Sequence, residues 1–276
     1  MFFRCLSLAW VCVAAMAADG RELRVCADPN NLPFSNRAGQ GIENRLAELI
    51  AKDLSVPLSY AWVPQRKGFP ENSLGAGLCD AAMGVPSTID SVLPTRAYYC
   101  STYVFVTRSD RHFNISSLND PRLNEAKIGL HVAGDDYAPP AYLLVRRGLA
   151  SRLFGFSMYG AADETNPPAR LIEAVAKGDI DVAIAWGPIA GYFSKLQDVP
   201  LDVTPVSPAM FLAVPFTYSV SAGVRNGNNA LQSEIDGILS RECEAIAGLL
   251  REYRIPQLKE DRAKCGLPQS AVSSSR

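Results

Sequence analysis

The sequence predicts an α/β fold made of two units, each a mainly parallel sheet covered by helices. Three observations carry this expectation. Short apolar runs closed by turn residues alternate with helically spaced apolar residues over 23–84. The same alternation returns over about 109–210. Parallel strands need a crossover between them, so strand–helix alternation points to parallel sheets. Two further apolar runs, 101–106 and 215–221, stand where segments crossing between the units belong.

The elements follow in order. Arg4 gives a short positive region, Cys5 to Met16 is apolar, and Ala15-Met16-Ala17 has small-x-small cleavage chemistry. Residues 1–17 therefore read as a secretion signal. Cys12 follows Leu8-Ala9-Trp10-Val11, with Val where a lipoprotein site wants a small residue, which argues against a lipid anchor. Leu23 to Ala27 is a strand running into the turn cluster Asp28-Pro29-Asn30-Asn31. Ile42, Leu46, Leu49, Ile50 and Leu54 recur at helical spacing, and Pro57 ends that helix. Leu58 to Val63 and Asp80 to Gly84 are the next strands, giving β-α-β-α-β over the first unit.

In the second unit Lys127 to Val132 is a strand, closed by Gly134-Asp135-Asp136. Tyr137 to Arg147 reads as a helix with Pro139-Pro140 in its first turn, where a missing N–H costs little. Leu153 to Tyr159 is a strand, and Pro167-Pro168 opens a helix that Gly178 closes. Asp181 to Trp186 is a further strand, followed by a short helix after Pro188. A final long helix places Leu231, Ile235, Ile238, Leu239, Ile246, Leu249 and Leu250 on one face. The polar tail 269–276 reads as frayed.

Composition bounds the function. The chain has 276 residues, a formal net charge of −1 and 48% hydrophobic residues. Such an apolar fraction supports packed cores. Near-zero charge argues against nucleic acid, which needs a clustered Lys/Arg surplus. Beyond the N-terminal segment no stretch is long and apolar enough to span a bilayer. Cys26, Cys79, Cys100, Cys243 and Cys265 remain after the signal, so an exported chain can form two bridges and keep one thiol. No Cys-x-x-Cys or Cys/His cluster is present, and neither a metal nor a cofactor is expected. Gly-x-Ser-x-Gly, His-Glu-x-x-His, phosphate-loop and dinucleotide motifs are absent too. Of the two histidines, His112 sits in a polar run, and His131 on a strand reads as a core or surface residue.

The order of motifs resembles the type II periplasmic solute-binding fold, two α/β lobes joined by two crossing strands. Asp28-Pro29-Asn30-Asn31-Leu32-Pro33-Phe34 and Gly77-Leu78-Cys79-Asp80-Ala81-Ala82-Met83-Gly84 carry that likeness. A narrower likeness adds Cys26-Ala27 before the first motif, Met83-Gly84-Val85-Pro86 and Ser101-Thr102-Tyr103-Val104-Phe105. Gly134-Asp135-Asp136-Tyr137, Asn166-Pro167-Pro168-Ala169-Arg170 and Trp186-Gly187-Pro188-Ile189-Ala190-Gly191-Tyr192-Phe193 complete it. Together these resemble the J-type proteins of bacterial methanol-oxidation operons, solute-binding-like partners of pyrroloquinoline-quinone (PQQ) dehydrogenases. The resemblance implies lobe 1 over 18–107 and 213–268 and lobe 2 over 108–212. It also implies a Cys26–Cys79 bridge. A second bridge, Cys243–Cys265, is expected where the chain turns back beyond Pro256.

The chain departs from amino-acid-binding relatives at both ends of their ligand clamp. No Arg follows Pro86 where they fork a guanidinium onto a carboxylate, and Gly187 stands where they carry an Asp. A zwitterion would lose hydration there without charged partners. The candidate ligand residues lie at strand ends or crossing segments: Asn31, Val85, Tyr98, Asp136, Arg170 and Trp186. Tyr98, with Tyr99 and Tyr103, packs the hinge or faces the cleft, and all the others but Val85 also have a structural reading. Asn31 serves a ligand or a turn, whereas Asn30 reads as a turn residue. Asp136 is a ligand group or, with Asp135, a helix cap. Arg170 is a ligand group or a surface side chain, and Trp186 is a stacking wall or a core aromatic.

The expectation is a periplasmic binding-type protein without catalysis. It serves a PQQ-dependent methanol or alcohol dehydrogenase by docking, maturation or small-molecule delivery. The alternatives are the receptor of a transporter for a small organic solute other than an ordinary amino acid, and a dehydratase-like enzyme on the same fold.

Overall fold

The structure is a computed structural model that describes residues 20–160 and 164–256. The signal segment 1–17, Cys265 and the tail 269–276 lie outside the described residues. The first half holds β1 (Leu23–Ala27), α1 (Ile42–Leu54), β2 (Leu58–Trp62) and β3 (Ala81–Pro86). Strand β4 (Tyr99–Arg108) leads out of it. The second half holds β5 (Ile128–Ala133), α2 (Ala141–Arg146), β6 (Leu153–Ser157) and α3 (Ala169–Lys177). It continues with β7 (Val182–Trp186), α4 (Gly187–Ser194) and β8 (Leu201–Pro205). Strand β9 (Thr217–Val224) leads back to α5 (Asn229–Arg241) and α6 (Cys243–Glu252).

Hydrogen bonding orders the strands β6-β5-β7-β4-β9-β3-β1-β2, with β8 also on β4. β1 is parallel to both β2 and β3, and β5 is parallel to both β6 and β7. The two parallel groups meet through the long strand β4. Its first part, Tyr99–Thr102, pairs antiparallel with Thr217–Val220 of β9. Its later part, Tyr103–Val106, pairs antiparallel with β7. β9 then continues onto β3.

Alternate residues of these strands enter opposite cores, as the two-residue strand period requires. Leu23 and Val25 of β1, with Ala81 and Met83 of β3, join the core under α1. Cys26 and Ala82 face the other way, into a smaller cluster with Phe69 and Leu74, and Val85 joins them past an irregularity in the β3–β9 register. In the second half Ala183 and Ala185 face one core while Val182 and Ile184 face the other. Helices cover both faces, so these strands are apolar throughout rather than alternating with polar residues.

Four local expectations are corrected. The helix foreseen between the second and third strands shrinks to one turn, Glu71–Gly75, entered from Pro70. Tyr137 is not helical: Asp136 and Tyr137 fold back on Ala133 and Val132 as a short antiparallel ladder. The tandem prolines bias the residues before them away from helix, so α2 begins only after Pro140. β8 was not foreseen. The terminal helix bends at Glu242 into α5 and α6, both packed on α1.

Cys26 and Cys79 form a disulfide with Cα atoms 5.5 Å apart. Cys26 stands beside Ala82 in the β1/β3 register, and the turn before β3 brings Cys79 back beside it. Cys243 is a free thiol, against the expected Cys243–Cys265 pairing. Cys100, on β4, is disulfide-bonded instead. The physical reason is placement: Cys100 is buried where the crossing strands meet, whereas Cys243 sits half-buried at the start of α6.

The Cys26–Cys79 bridge spans 53 residues of sequence. Under the chain-entropy account a closed loop of that size contributes about 4 kcal/mol. The Cys26→Ser, Cys79→Ser double variant is expected to lose stability of that order in urea denaturation. Peptide mapping without reductant is expected to find Cys243 alkylated, and Cys26, Cys79 and Cys100 protected.

Candidate functional site

The loop after β1 sets one wall of a cleft between the halves. Asp28 turns it, its carboxylate accepting the Asn30 N–H at 2.8 Å and the Gln65 N–H at 2.5 Å. Further on, the carbonyls of Pro33 and Phe34 accept the N–H groups of Ile42 and Glu43, each at 2.8 Å. These are among the orphan donors at the start of α1, so no free amide pair is left there to hold an anion. The same capping places Glu43, in the first turn of α1, at the cleft.

The cleft encloses a cavity of about 430 Å³. One side is built by Phe34, Glu43, Gln65, Gly84 and Pro86. The opposite side comes from His131, Asp136, Tyr137, Met158 and Trp186. The crossing strands supply Tyr99, Tyr103, Tyr218 and Val220. Trp186 is the centre of an aromatic group, its ring 5.5 Å from that of Tyr103 and 5.8 Å from that of Tyr218. It also hydrogen-bonds the buried Tyr99 hydroxyl. Burial pushes the Tyr99 and Tyr103 phenols up, so both stay neutral hydrogen-bonding groups.

Two buried titratable groups face the cavity. Glu43 is 5% exposed, and no hydrogen bond or ion pair reaches its carboxyl among the described residues. Burial, with the nearby Asp28 charge, pushes its pKa up to about 8. Gly84 makes the space for it: a Cβ there would lie 2.1 Å from Glu43 Oε1, and φ is +74°. His131 is 6% exposed, and its Nε2 donates to the Pro168 carbonyl at 3.0 Å. Burial holds it down to about 4, so the ring is neutral.

The expected site residues separate into three groups. Asp136 and Trp186 line the cavity. Val85 points away from it, into the cluster around the disulfide. Tyr98 is fully buried behind it, its hydroxyl accepting the Gly84 N–H at 2.9 Å. Asn31 stands outside and donates to Gln65 Oε1 at 2.6 Å. Arg170 is committed elsewhere. It donates to the carbonyls of Pro167, Ser157 and Tyr159 and pairs with Glu164 at 3.1 Å. Those acceptors account for a cation in the first turn of a helix. Asp136 caps no helix; it pairs with Lys67 across the mouth at 3.5 Å, both side chains exposed.

Sequence reasoning assigned Asn30 to the turn and missed its bridging role. Its Nδ2 donates to the Glu164 carbonyl at 2.5 Å, and its Oδ1 accepts the Asn166 N–H at 3.1 Å. Arg66 adds a second bridge, 4.9 Å over the Tyr159 ring. Gly187 is fixed by its packing. A Cβ on Gly187 would lie 2.6 Å from Ser101 Oγ and 2.7 Å from the Thr102 carbonyl oxygen. Glu43 was missed because an acid in the first turn of a helix looks like an ordinary dipole partner.

No protein-family profile matches the chain. A protein named MoxJ from Methylorubrum extorquens is 30% identical over 260 residues, 89% of this chain and 85% of that protein. The crystal structure of the periplasmic binding protein XoxJ from Methylobacterium extorquens AM1 is similar at 35% identity and a TM-score of 0.70. It covers 86% of this chain and 99% of that one. The structure of MxaJ from Methlophaga aminisulfidivorans MPT is similar at 25% identity and a TM-score of 0.76. It covers 86% of this chain and all 100% of that one. The fold is thus that of the type II periplasmic binding proteins.

The two buried groups pull stability in opposite directions with pH. Glu43 keeps its proton in the folded state up to about 8, whereas unfolded it releases it near 4.5. Its contribution is complete below the lower value and is lost as pH rises through the upper one. His131 is the reverse: folded it resists protonation down to about 4, against 6.5 unfolded. Its contribution is present above the upper value and is lost as pH falls through the lower one. Glu43→Gln is expected to abolish the alkaline decline, and His131→Asn the acid decline, in urea midpoints measured from about pH 4 to 9.

Proposed function

The chain belongs to the MoxJ family, and on that premise we propose that it is a periplasmic binding-type protein serving a PQQ-dependent methanol or alcohol dehydrogenase. Residues 1–17 direct export. Residues 108–212 form one lobe, which closes on the lobe formed by 18–107 and 213–268. The cleft captures a small organic molecule, and the outer surface meets the dehydrogenase. The observation that carries this reading is a ligand-sized cavity in a binding-protein fold from which the amino-acid clamp is gone. No Lys or Arg is among the described residues lining it, and Gly187 leaves no room for the clamp Asp.

Binding rather than turnover is supported by the state of His131, whose Nε2 proton is already committed to the Pro168 carbonyl. No helix among the described residues is long and apolar enough to cross a membrane, which suits a protein acting in an aqueous compartment. A transport receptor for a small organic solute is the second reading. The contacts of Asn30 and Arg66 across the mouth favour it, since they suit a cleft that closes on cargo.

Two measurements test the proposal. The purified cognate dehydrogenase is expected to bind the protein, and Trp186→Ala is expected to keep that affinity within about tenfold because the cleft is not the docking face. A larger loss in a variant that circular dichroism shows to be folded would assign docking to the cleft. Calorimetry against the twenty amino acids is expected to show no binding. A micromolar dissociation constant for any of them would revive the amino-acid transport reading.

A further inference from the structure

We infer that the cavity is built for an organic ammonium ion, with Glu43 as its counter-charge and Trp186, Tyr103 and Tyr218 as its aromatic walls. The inference deepens the ligand-capture part of the proposed function and rests on it.

Charge is the first argument. Among the described residues the cavity lining carries two acids, Glu43 and Asp136, and no Lys or Arg. Asp136 lies at the mouth, where Lys67 already pairs with it. Glu43 is buried and has no hydrogen-bond or ion-pair partner among the described residues. The groups facing it from each side supply no cation. Asp28, from the loop after β1, is acidic, and Tyr98 and Tyr99, at the start of β4, are neutral phenols. Gly84 on β3 offers only backbone. On its own helix the neighbouring Asn44 has its Oδ1 engaged by the N–H groups of Asn36 and Gly41. A buried carboxyl without a partner is costly when ionised, and a cation entering the cavity removes that cost.

The walls are the second argument. The rings of Tyr103 and Tyr218 stand 5.5 and 5.8 Å from the indole of Trp186, centroid to centroid. Aromatic faces are negative, and several around one space attract an ammonium while tolerating its alkyl groups. An anion meets the opposite conditions. The first amides of α1 are taken by Pro33 and Phe34, and no guanidinium is present to receive it. A neutral molecule satisfies the walls but leaves Glu43 protonated. The proton balance follows. The ammonium keeps its own protons, Glu43 loses its proton to solvent, and a carboxylate–ammonium pair remains. Below the raised Glu43 pKa, binding therefore releases protons and tightens as pH rises.

The test is isothermal titration of the exported chain with propyl- to hexylammonium chlorides, the matching 1-alkanols and hexanoate. The ammonium ions are expected to bind at least about tenfold tighter than their alkanols, and hexanoate not at all. Paired buffers of different ionisation enthalpy are expected to show release of up to about one proton per ligand between about pH 6 and 7. Glu43→Gln is expected to abolish that release and weaken ammonium binding at least about tenfold. Trp186→Leu is expected to weaken binding and keep the release. Alkanols binding as tightly as the ammonium ions, hexanoate binding, absence of ammonium binding, or an unchanged Glu43→Gln variant would each overturn the inference. The buffer comparison on the unaltered chain decides the matter even where a variant fails to fold. Ammonium failure with dehydrogenase docking retained overturns this inference alone. Docking failure with ammonium binding intact overturns the dehydrogenase role alone.

Discussion

The antiparallel pairing of Tyr99–Thr102 with Thr217–Val220 is the contact on which the rest of the structure depends. It is where two parallel sheets, each complete in its own half, become one molecule. The same strands continue into both halves, β4 onto β7 and β9 onto β3. The seam therefore fixes how far apart the facing strand ends stand. It also supplies chemistry. Tyr99, Tyr103, Tyr218 and Val220 belong to these strands and line the cavity between the halves. Thr102 reinforces the seam, its hydroxyl donating to the Phe216 carbonyl at 3.0 Å. Cys100 anchors it further through its Sγ contact with Ser219 and its own disulfide.

Polarity in the cleft is deployed sparingly. Most of its polar side chains are committed to the protein itself. His131 is tied to Pro168, Tyr218 donates to the Pro215 carbonyl, and Gln65 accepts from Asn31. Glu43 is an exception, kept at the cavity by the capped start of α1 and by the missing Cβ of Gly84. Here the single buried acid stands on the α1 side, and the Gly187 end is closed by packing on Ser101 and Thr102.

The fold class was legible in the residues because its signals are local. Strand and helix periods, Pro167-Pro168 at the start of α3 and Gly178 at its end are short-range facts, and each marks a real boundary. Trp186 ends β7 at its carboxyl end and Asp136 follows β5, where this architecture opens a crevice, and both line the cavity. Local signals failed where two of them competed. The tandem prolines suggested a helix start at Tyr137, but ladder bonds to Val132 and Ala133 claimed that residue first.

The sequence by itself determined the alternation of elements and the crossing segments. Each depends only on residue type and near-neighbour spacing. Tertiary structure alone decided that Glu43 is a buried acid, that Asn30 rather than Asn31 spans the mouth, and that Arg170 is consumed by carbonyls. It also decided that Cys100 rather than Cys243 is oxidised. These outcomes depend on which distant segments become neighbours: Glu43 with Gly84, Asn30 with Asn166, Cys100 with the return strand. A side chain's solvation and partners belong to that three-dimensional neighbourhood, and a carboxyl's charge state follows its solvation.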